Sequence, residues 1–251
     1  MTSRAPVRSA VVLGAGTMGA QIAAHLANAG VGVRLLDLTD QAARDGLLRA
    51  SALKPDPFFA KDALALITTG SFDDLTTLAS VDWIIEAIVE RLDIKRDLLT
   101  RVEAVRRPGT IVTSNTSGIS IAALAEGRSD EFRRHWLGAH FFNPPRYLRL
   151  LELIPTADTD PAVLERVAWF ADHRLGKGVV IARDTPGFIA NHIVLYGVMH
   201  LMRALESGAF TIEEIDAMTG PAIGRPKSAT FRTMDIAGLD VLGHVARDLS
   251  Q

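Results

Sequence analysis

The chain has 251 residues, no cysteine, and 27 basic against 29 acidic residues, for a formal net charge of −2. The near balance of charge gives no argument for a nucleic acid or an acidic membrane surface as partner, and the lack of cysteine excludes disulfides and thiol catalysis. A chain of this length forms one large domain or two modest ones. Its first residues lead directly into a predicted strand without room for a secretory signal, so we expect a cytoplasmic location.

Strand-like runs alternate with helix-like runs up to about residue 183, which is typical of a parallel sheet with helices on both faces. The predicted strands are 10–13, 33–37, 83–86, 110–113, 137–141, 148–154 and 179–182. The predicted helices include 21–29, 92–105 and one that runs towards Gly176, with Asp160 as its N-cap and Pro161 in its first turn. The predicted fold class is α/β, with a Rossmann-type, mainly parallel sheet domain followed by a smaller all-α domain.

Two segments interrupt or end this alternation. The prolines of 54–59 predict an excursion between the second and third main strands, either a local insertion or part of a substrate-binding surface. After Asp184-Thr185-Pro186-Gly187 the pattern becomes wholly helical, so we place domains at 1–184 and 185–251. The apolar segment 189–205 carries four polar residues, which favours a buried helix over a membrane span.

The first strand ends in a Gly-x-Gly-x-x-Gly turn, and Asp37 closes the next apolar run. Gly14 permits the tight turn, Gly16 lets the backbone approach a pyrophosphate, and Gly19 allows close packing of the helix on its strand. The acid can accept hydrogen bonds from ribose hydroxyls and favours NAD over NADP. The alternative is a tight strand-to-helix turn without a ligand. The predicted cofactor-binding residues of this region are Gly14, Gly16, Thr17, Met18, Gly19 and Asp37.

Three further motifs follow in order behind the turn. Ser-Asn-Thr-Ser at 114–117 and His-Phe-Phe-Asn-Pro at 140–144 each follow or end a strand, and Asp-Thr-Pro-Gly-Phe-Ile-Ala-Asn at 184–191 opens the long helix. Together with Glu-Ala-Ile-Val-Glu at 86–90, they resemble the 3-hydroxyacyl-CoA dehydrogenase family from about Ser9 to the end of the chain. The sequences of 143–147 and 224–228 are most similar to the dehydrogenase part of long bacterial multifunctional β-oxidation proteins. In those proteins, the dehydrogenase is fused to an enoyl-CoA hydratase.

The resemblance implies NAD-dependent oxidation of 3-hydroxyacyl-CoA to 3-oxoacyl-CoA, with acyl-CoA as the substrate. It also implies a homodimer or an assembly with other β-oxidation enzymes. This chain has no hydratase portion and stops before the last helices that family members usually carry, so we expect a truncated helical domain.

Oxidising a secondary alcohol requires a general base for the hydroxyl proton, and His140 is the best candidate because it ends a predicted strand at the sheet edge where ligands bind. The alternative is a histidine of the core. Glu152 lies on the next strand, beyond a proline-containing turn, where its carboxylate could orient the imidazole and stabilise imidazolium. The alternative is an ordinary strand-edge glutamate. In the family, the matching glutamate pairs with the histidine.

The remaining predicted site residues are carried over from the family by position. Ser117 matches the serine that hydrogen-bonds the substrate oxygen, although a loop serine is the alternative and Ser120 fits a helix cap better. Asn191 matches an asparagine near the substrate carbonyl, or is simply a polar residue of a first helical turn. The family places Glu90, Lys95 and Asn115 around the ribose and nicotinamide.

Several alternatives stay open at the level of sequence. Lys95 could be a solvated helix residue, and His192 stands where the family commonly has arginine. Lys54 and Lys61 could contact CoA phosphates, or be ordinary surface lysines. The same chemistry would serve other 3-hydroxy acids, and a truncated relative could bind NAD or acyl-CoA without turnover.

Overall fold

The computed structural model describes residues 6–237 and 243, and these divide into two compact units between Asp184 and Thr185. The first five residues and the end of the predicted helical domain, 238–242 and 244–251, lie outside the described residues. In the described part of the chain, no helix combines the length and the apolar character that crossing a membrane requires.

The first unit is built on one eight-stranded sheet with the order β3-β2-β1-β4-β5-β6-β7-β8. Its strands are β1 Ser9–Leu13, β2 Gly32–Asp37, β3 Ile67–Ser71, β4 Trp83–Glu86, β5 Ile111–Ser114, β6 Trp136–Phe141, β7 Leu150–Pro155 and β8 Gly178–Ile181. All neighbouring strands run parallel except β6 and β7, which are antiparallel. The predicted fold class, a mainly parallel Rossmann-type sheet followed by a helical part, is confirmed.

Nine α-helices accompany the sheet in the described residues. They are α1 Thr17–Asn28, α2 Asp40–Ser51, α3 Leu92–Val105, α4 Ile121–Leu124, α5 Asp130–Arg134, α6 Pro161–Leu175, α7 Ala190–Glu206, α8 Ile212–Thr219 and α9 Phe231–Ala237. Three short 3₁₀ helices cover Lys61–Leu66, Thr76–Ser80 and Pro221–Ile223. As predicted, the Asp160 side chain caps α6 and left-handed Gly176 ends it.

Two sequence predictions need correction. Helix α1 starts at Thr17 rather than 21, because the glycine turn leads straight into its first turn. Strand β3 was missed; it lies after the proline-rich excursion and before β4. Its sequence, Ile-Thr-Thr-Gly-Ser, is short and contains a glycine, so it lacks the hydrophobic pattern of a strand. Its pairing with β2 makes it an edge strand.

Burial on both faces makes the central strands of the sheet almost entirely apolar. Val12 of β1 and Ile85 of β4 are completely buried, and Trp83 packs edge-on against Phe170 of α6 with ring centroids 6.0 Å apart. These strands form a rigid platform for the loops at their carboxyl ends.

In the second unit, the predicted long helix is present as α7, but the prediction that it is buried is wrong. Val198 is its one buried residue, whereas Ile193 is 68% and Tyr196 71% exposed. A capping box between Thr211 and Glu214 starts α8.

The chain order reverses between β1 and β4, because β2 and β3 lie on one side of β1 while β4 to β8 lie on the other. Open α/β sheets bind ligands outside the carboxyl ends of the strands at such a switch point. Gly14, Glu86, Asn115 and His140 lie at or just beyond the carboxyl ends of β1, β4, β5 and β6, respectively.

Candidate active site

His140 and Glu152 face each other across the antiparallel pair β6 and β7. They are directly opposite in the register of the two strands, and His140 Nδ1 lies 2.8 Å from Glu152 Oε2. Both side chains are buried, with His140 6% and Glu152 1% exposed. The structure thus brings together the two residues that the sequence proposed as base and orienting acid.

The contact determines which imidazole nitrogen is basic. A carboxylate can only accept a hydrogen bond, so Nδ1 carries the proton of the neutral ring and donates it to Glu152. Nε2 is then the nitrogen that can take up a proton, and the imidazolium formed would lie next to a negative charge. The Phe142 ring, 4.3 Å from the imidazole centroid, fixes the ring plane further.

The glycine turn has the shape needed to receive a dinucleotide. Gly14 has φ +101°, and a Cβ there would lie 2.5 Å from the Ala87 carbonyl oxygen, so only glycine fits. A Cβ on Gly19 would lie 1.9 Å from the Gly14 carbonyl oxygen. At Gly16, in contrast, a Cβ would meet no atom within 4 Å, so the start of α1 borders open space.

The residues around that open space fit a pyrophosphate. Gly16 is the N-cap of α1 and has no side chain to cap the helix. The backbone N–H groups of the first turn can therefore donate hydrogen bonds to another acceptor, such as a phosphate. Thr17 is exposed and Met18 half-buried in the same first turn. A cavity of about 150 Å³ lies beside the turn and is also lined by Arg49 of α2 and by Leu53, just beyond the end of that helix.

Asp37 ends β2 beside this turn. Its Oδ2 accepts a hydrogen bond from the Ala15 amide at 2.7 Å, and its Oδ1 accepts one from Leu38 at 2.7 Å. Each carboxylate oxygen keeps a second lone pair, so Asp37 can hold the turn in place and still accept hydrogen bonds from ribose hydroxyls.

A buried ion-pair cluster follows β4. Lys95 Nζ of α3 lies 2.6 Å from Glu86 Oε1 and 3.1 Å from Glu90 Oε2. Glu86 is completely buried and Lys95 is 1% exposed, so Lys95 is not the solvated helix residue that the sequence left as an alternative. Glu86 also accepts hydrogen bonds from the Ser114 hydroxyl and the Ile88 amide. Every charge in this cluster has a partner.

Glu90 links the cluster to Ser117. One Glu90 oxygen accepts hydrogen bonds from the Thr116 hydroxyl at 2.5 Å and from the Ser117 amide at 2.8 Å. Burial would raise the pKa of Glu90, but the Lys95 charge and the Thr116 and Ser117 hydrogen bonds outweigh it and lower the pKa. The loop that carries Ser117 is therefore tied to a carboxylate that stays ionised.

Asn115 connects β5 to the strand that carries His140. Its side-chain Oδ1 accepts a hydrogen bond from the Phe141 amide at 2.9 Å. Ser120, and not Ser117, caps α4, as its sequence position suggested, by accepting from the Ala123 amide. The Ser117 hydroxyl lies 3.4 Å from Glu90 Oε1 instead.

The remaining residues that the sequence singled out keep their roles as predictions. Asn191 lies in the first turn of α7, in the second unit, and its role stays a prediction. His192 follows it and contacts the Phe188 carbonyl oxygen through Nδ1 at 2.7 Å. Lys54 and Lys61 are both exposed, at the start of the excursion and just after it, which agrees equally well with a CoA contact and with ordinary surface lysines.

Sequence reasoning missed the residues that hold the loop between β6 and β7. Lys177 is 1% exposed, and its Nζ donates to the carbonyl oxygens of Pro145 and Leu148, the latter at 2.8 Å. Burial lowers the pKa of Lys177 to about 8. A lysine directly after a helix-ending glycine gives no local signal of burial, because its carbonyl partners lie about thirty residues earlier in the chain.

Arg146, in the same loop, holds the proline-rich excursion. Its guanidinium donates to the carbonyl oxygens of Asp56 at 2.6 Å and Phe58 at 2.5 Å. It also lies 4.1 Å from the Phe59 ring centroid, a cation–π contact. The loop after His140 and the excursion after α2 therefore pack against each other.

Comparison with known protein families gives two matches that together cover almost the whole chain. The family described as "3-hydroxyacyl-CoA dehydrogenase, NAD binding domain" matches residues 9–185, and "3-hydroxyacyl-CoA dehydrogenase, C-terminal domain" matches residues 187–251. The NAD-binding match contains the glycine turn, the ion-pair cluster and the His140–Glu152 pair.

Individual proteins agree with these matches. A "Probable 3-hydroxyacyl-CoA dehydrogenase" of Deinococcus radiodurans is 50% identical, over 97% of this chain and 72% of its own length. A protein of the same name from Bacillus subtilis is 47% identical, over 97% of this chain but only 34% of its own length. The crystal structure of (S)-3-hydroxybutyryl-CoA dehydrogenase PaaH1 from Ralstonia eutropha has a TM-score of 0.82 at 30% identity, and the match covers 97% of this chain and 87% of that chain.

Proposed function

The chain belongs to the 3-hydroxyacyl-CoA dehydrogenase family of NAD-binding oxidoreductases, and from that premise we propose that it oxidises (3S)-3-hydroxyacyl-CoA to 3-oxoacyl-CoA in fatty acid β-oxidation. The observation that carries the proposal is the buried 2.8 Å contact between His140 and Glu152 at the carboxyl end of β6. We further propose 1–184 as the NAD-binding domain and 185–251 as the helical substrate and dimerisation domain.

His140 acts as the general base of the proposed reaction. Its Nε2 accepts the proton of the substrate 3-hydroxyl while Nδ1–H stays bonded to Glu152. The carboxylate keeps the ring in the correct tautomer and balances the positive charge of the imidazolium. Because the pair is buried, this charge compensation is stronger than it would be in water.

Ser117 and Asn191 position the substrate in this proposal. The Ser117 hydroxyl donates a hydrogen bond to the 3-oxygen, and the amide of Asn191 stabilises negative charge that develops beside the thioester carbonyl. Glu90 supports Ser117 by accepting a hydrogen bond from its backbone amide. The two residues thus contribute binding geometry, and His140 contributes the proton transfer.

The cofactor is held by the turn and by the polar residues around it. Gly14, Gly16 and Gly19 shape the turn, Thr17 and Met18 lie at the start of α1, and Asp37 accepts from the ribose. Glu90, Lys95 and Asn115 would surround the nicotinamide end. NAD, when bound, supplies the acceptor for the hydride that leaves the substrate carbon.

The decisive experiment follows NADH oxidation with acetoacetyl-CoA as substrate for the reverse reaction. We expect wild-type turnover, a loss of about 10³-fold in kcat for His140→Ala, and a loss of about 10²-fold for Glu152→Gln. The Gln side chain can still accept from Nδ1 but carries no charge, so this variant separates charge compensation from ring orientation. NADH binding should survive in both variants.

Matched controls are available on α6. His173 and Glu165 are exposed, so His173→Ala and Glu165→Gln should leave kcat unchanged. Wild-type protein that binds NADH but does not oxidise it would contradict the proposed reaction and favour a cofactor-binding protein without turnover. Equal activity in His140→Ala and wild type would remove His140 from the mechanism.

Turnover of a free 3-hydroxy acid in place of its CoA thioester would place the chain with family members that act on other 3-hydroxy acids. The expected cytoplasmic location, and a homodimer or an assembly with other β-oxidation enzymes, stay predictions.

A further inference from the structure

One buried amide joins the start of α1 to the loop behind His140. Gln21 is 4% exposed, and its side-chain Nε2 donates to the Thr17 carbonyl oxygen at 2.9 Å and to Asn143 Oδ1 at 3.0 Å. Thr17 belongs to the dinucleotide turn, whereas Asn143 lies three residues after His140. A single side chain therefore contacts both parts of the site.

The orientation of this amide follows from its partners. The Thr17 partner is a carbonyl oxygen, which can only accept, so the Gln21 NH₂ group must face it. The same NH₂ group reaches Asn143, which must then present its oxygen to Gln21. Gln21 thereby determines which side of the Asn143 amide carries the oxygen and which carries the NH₂ group, because the shape of the amide alone does not distinguish the two.

Turning the oxygen of Asn143 towards Gln21 places its NH₂ group on the opposite side. Asn143 is an exposed residue, so this donor is accessible to a ligand. The rest of the loop is fixed, because Lys177 holds the Pro145 and Leu148 carbonyl oxygens and Arg146 holds the excursion. The donor therefore belongs to a rigid loop, and little conformational entropy is lost when it binds a ligand.

We propose that Gln21 is a positioning residue that presents the Asn143 NH₂ group as a hydrogen-bond donor to an oxygen of the bound dinucleotide. The acceptor is a phosphoryl or ribose oxygen, since Gln21 lies one helical turn beyond the start of α1. NAD binding thereby stabilises the loop that follows His140. This inference rests on the proposed function only in taking NAD as the ligand, and it does not depend on turnover.

The test measures NADH binding by fluorescence titration and does not require the reaction. Asn143→Ala removes the donor, and we expect the Kd for NADH to rise about tenfold. Gln21→Glu keeps the shape but offers oxygens to both neighbours. It should turn the Asn143 NH₂ group inwards, lose the donor to the ligand, and raise the Kd by a similar factor.

The double variant tests whether the two residues act as one unit. If Gln21 acts through Asn143, Gln21→Glu combined with Asn143→Ala should raise the Kd no more than Asn143→Ala alone. Gln41→Glu makes the same chemical change at an exposed position of α2 and should leave the Kd within about twofold. Independent, multiplicative effects in the double variant would overturn the positioning role.

The outcomes separate this inference from the proposed function. An unchanged Kd in Asn143→Ala overturns the inference, and because Asn143 is exposed this variant should fold even if Gln21→Glu does not. Wild-type protein that binds NADH, shows the predicted Kd changes and lacks turnover would support the inference while contradicting the proposed reaction. Wild-type protein that fails to bind NADH would contradict both.

Discussion

Two histidines of the first unit are buried to nearly the same degree but in opposite electrostatic settings. His25 is 4% exposed and His140 6% exposed. His140 Nδ1 contacts the Glu152 carboxylate. His25 Nε2 contacts only a neutral partner, the Leu175 carbonyl oxygen at 3.2 Å, and its Nδ1 has no hydrogen-bond partner within the described residues. Burial is common to both, and the carboxylate distinguishes them.

The difference shows what turns a buried imidazole into a candidate base. Burial lowers the pKa of His25 to about 4, and the Lys177 charge adds to this effect, so His25 stays neutral near physiological pH. Positive charge on His140 would lie beside Glu152 and be compensated. A buried ionisable group with a partner can change its charge during a reaction, whereas one without a partner resists the change.

The largest loss of stability should come from removing one partner of a buried ion pair. Lys95→Met would leave the Glu86 carboxylate buried without its counter-charge, so we expect the free energy of unfolding to fall by about 3–5 kcal/mol. Urea denaturation measures this loss. Adding Glu86→Gln to the variant should recover part of the loss, because no unpaired charge then remains.

Lys61→Met is the matched control for this experiment. Lys61 is exposed, so its replacement should change stability by less than about 0.5 kcal/mol. A Lys95→Met protein as stable as the wild type would show that the ion-pair cluster does not compensate buried charge in the way described.

The next effect should come from acid acting on the unpartnered histidine. The folded-state pKa of His25 is about 4 against an ordinary value of 6.5, so the unfolded chain binds more protons between these pH values. Stability should therefore fall as the pH drops from 6.5 towards 4, by about 3 kcal/mol from this residue. Denaturant midpoints across that pH range measure the slope.

His25→Gln sharpens the test, because its amide can still donate to the Leu175 carbonyl oxygen but does not titrate in this range. The variant should lose most of the pH-dependent destabilisation. His173→Gln, at an exposed position of α6, should keep it. An identical slope in wild type and His25→Gln would refute the contribution assigned to His25.

The smallest effect should come from the outer carboxylate of the ion-pair cluster. Glu90 is 36% exposed, and Glu90→Gln would remove its charge while an amide oxygen could still accept from Ser117. We expect the free energy of unfolding to fall by about 1 kcal/mol, because solvent screens the Glu90–Lys95 pair and Lys95 still has Glu86 as its partner. A loss as large as that of Lys95→Met would mean that Glu90, and not Glu86, is the essential partner of the lysine.

Sequence reasoning worked where neighbouring residues carry the signal. The glycine turn, the capping residue Asp160 and the helix 92–105 are local patterns, and the structure has each of them. His140 and Glu152 could be placed opposite each other because one short connection joins their strands. These features depend on short, continuous chain segments, the longest of which is the 14-residue helix.

The rest depends on distant partners and gave no local signal. His25 of α1 is buried, and its contact is with the Leu175 carbonyl oxygen, 150 residues later in the chain. Gln21 reaches Asn143 over 122 residues. The apolar sequence of α7 suggested burial, yet apolar composition does not specify whether another element covers the helix. Tertiary packing decides such cases.

The antiparallel pairing of β6 and β7 also constrains how this protein could have diversified. Side chains alternate between the two faces of a strand, so shifting the pairing by one residue would turn the Glu152 carboxylate to the other face and bring Leu151 or Leu153 opposite His140. An insertion or deletion inside either strand, 136–141 or 150–155, would therefore separate the two side chains unless a bulge absorbed it. The register of the two strands, as much as the identity of the two residues, keeps His140 and Glu152 in contact.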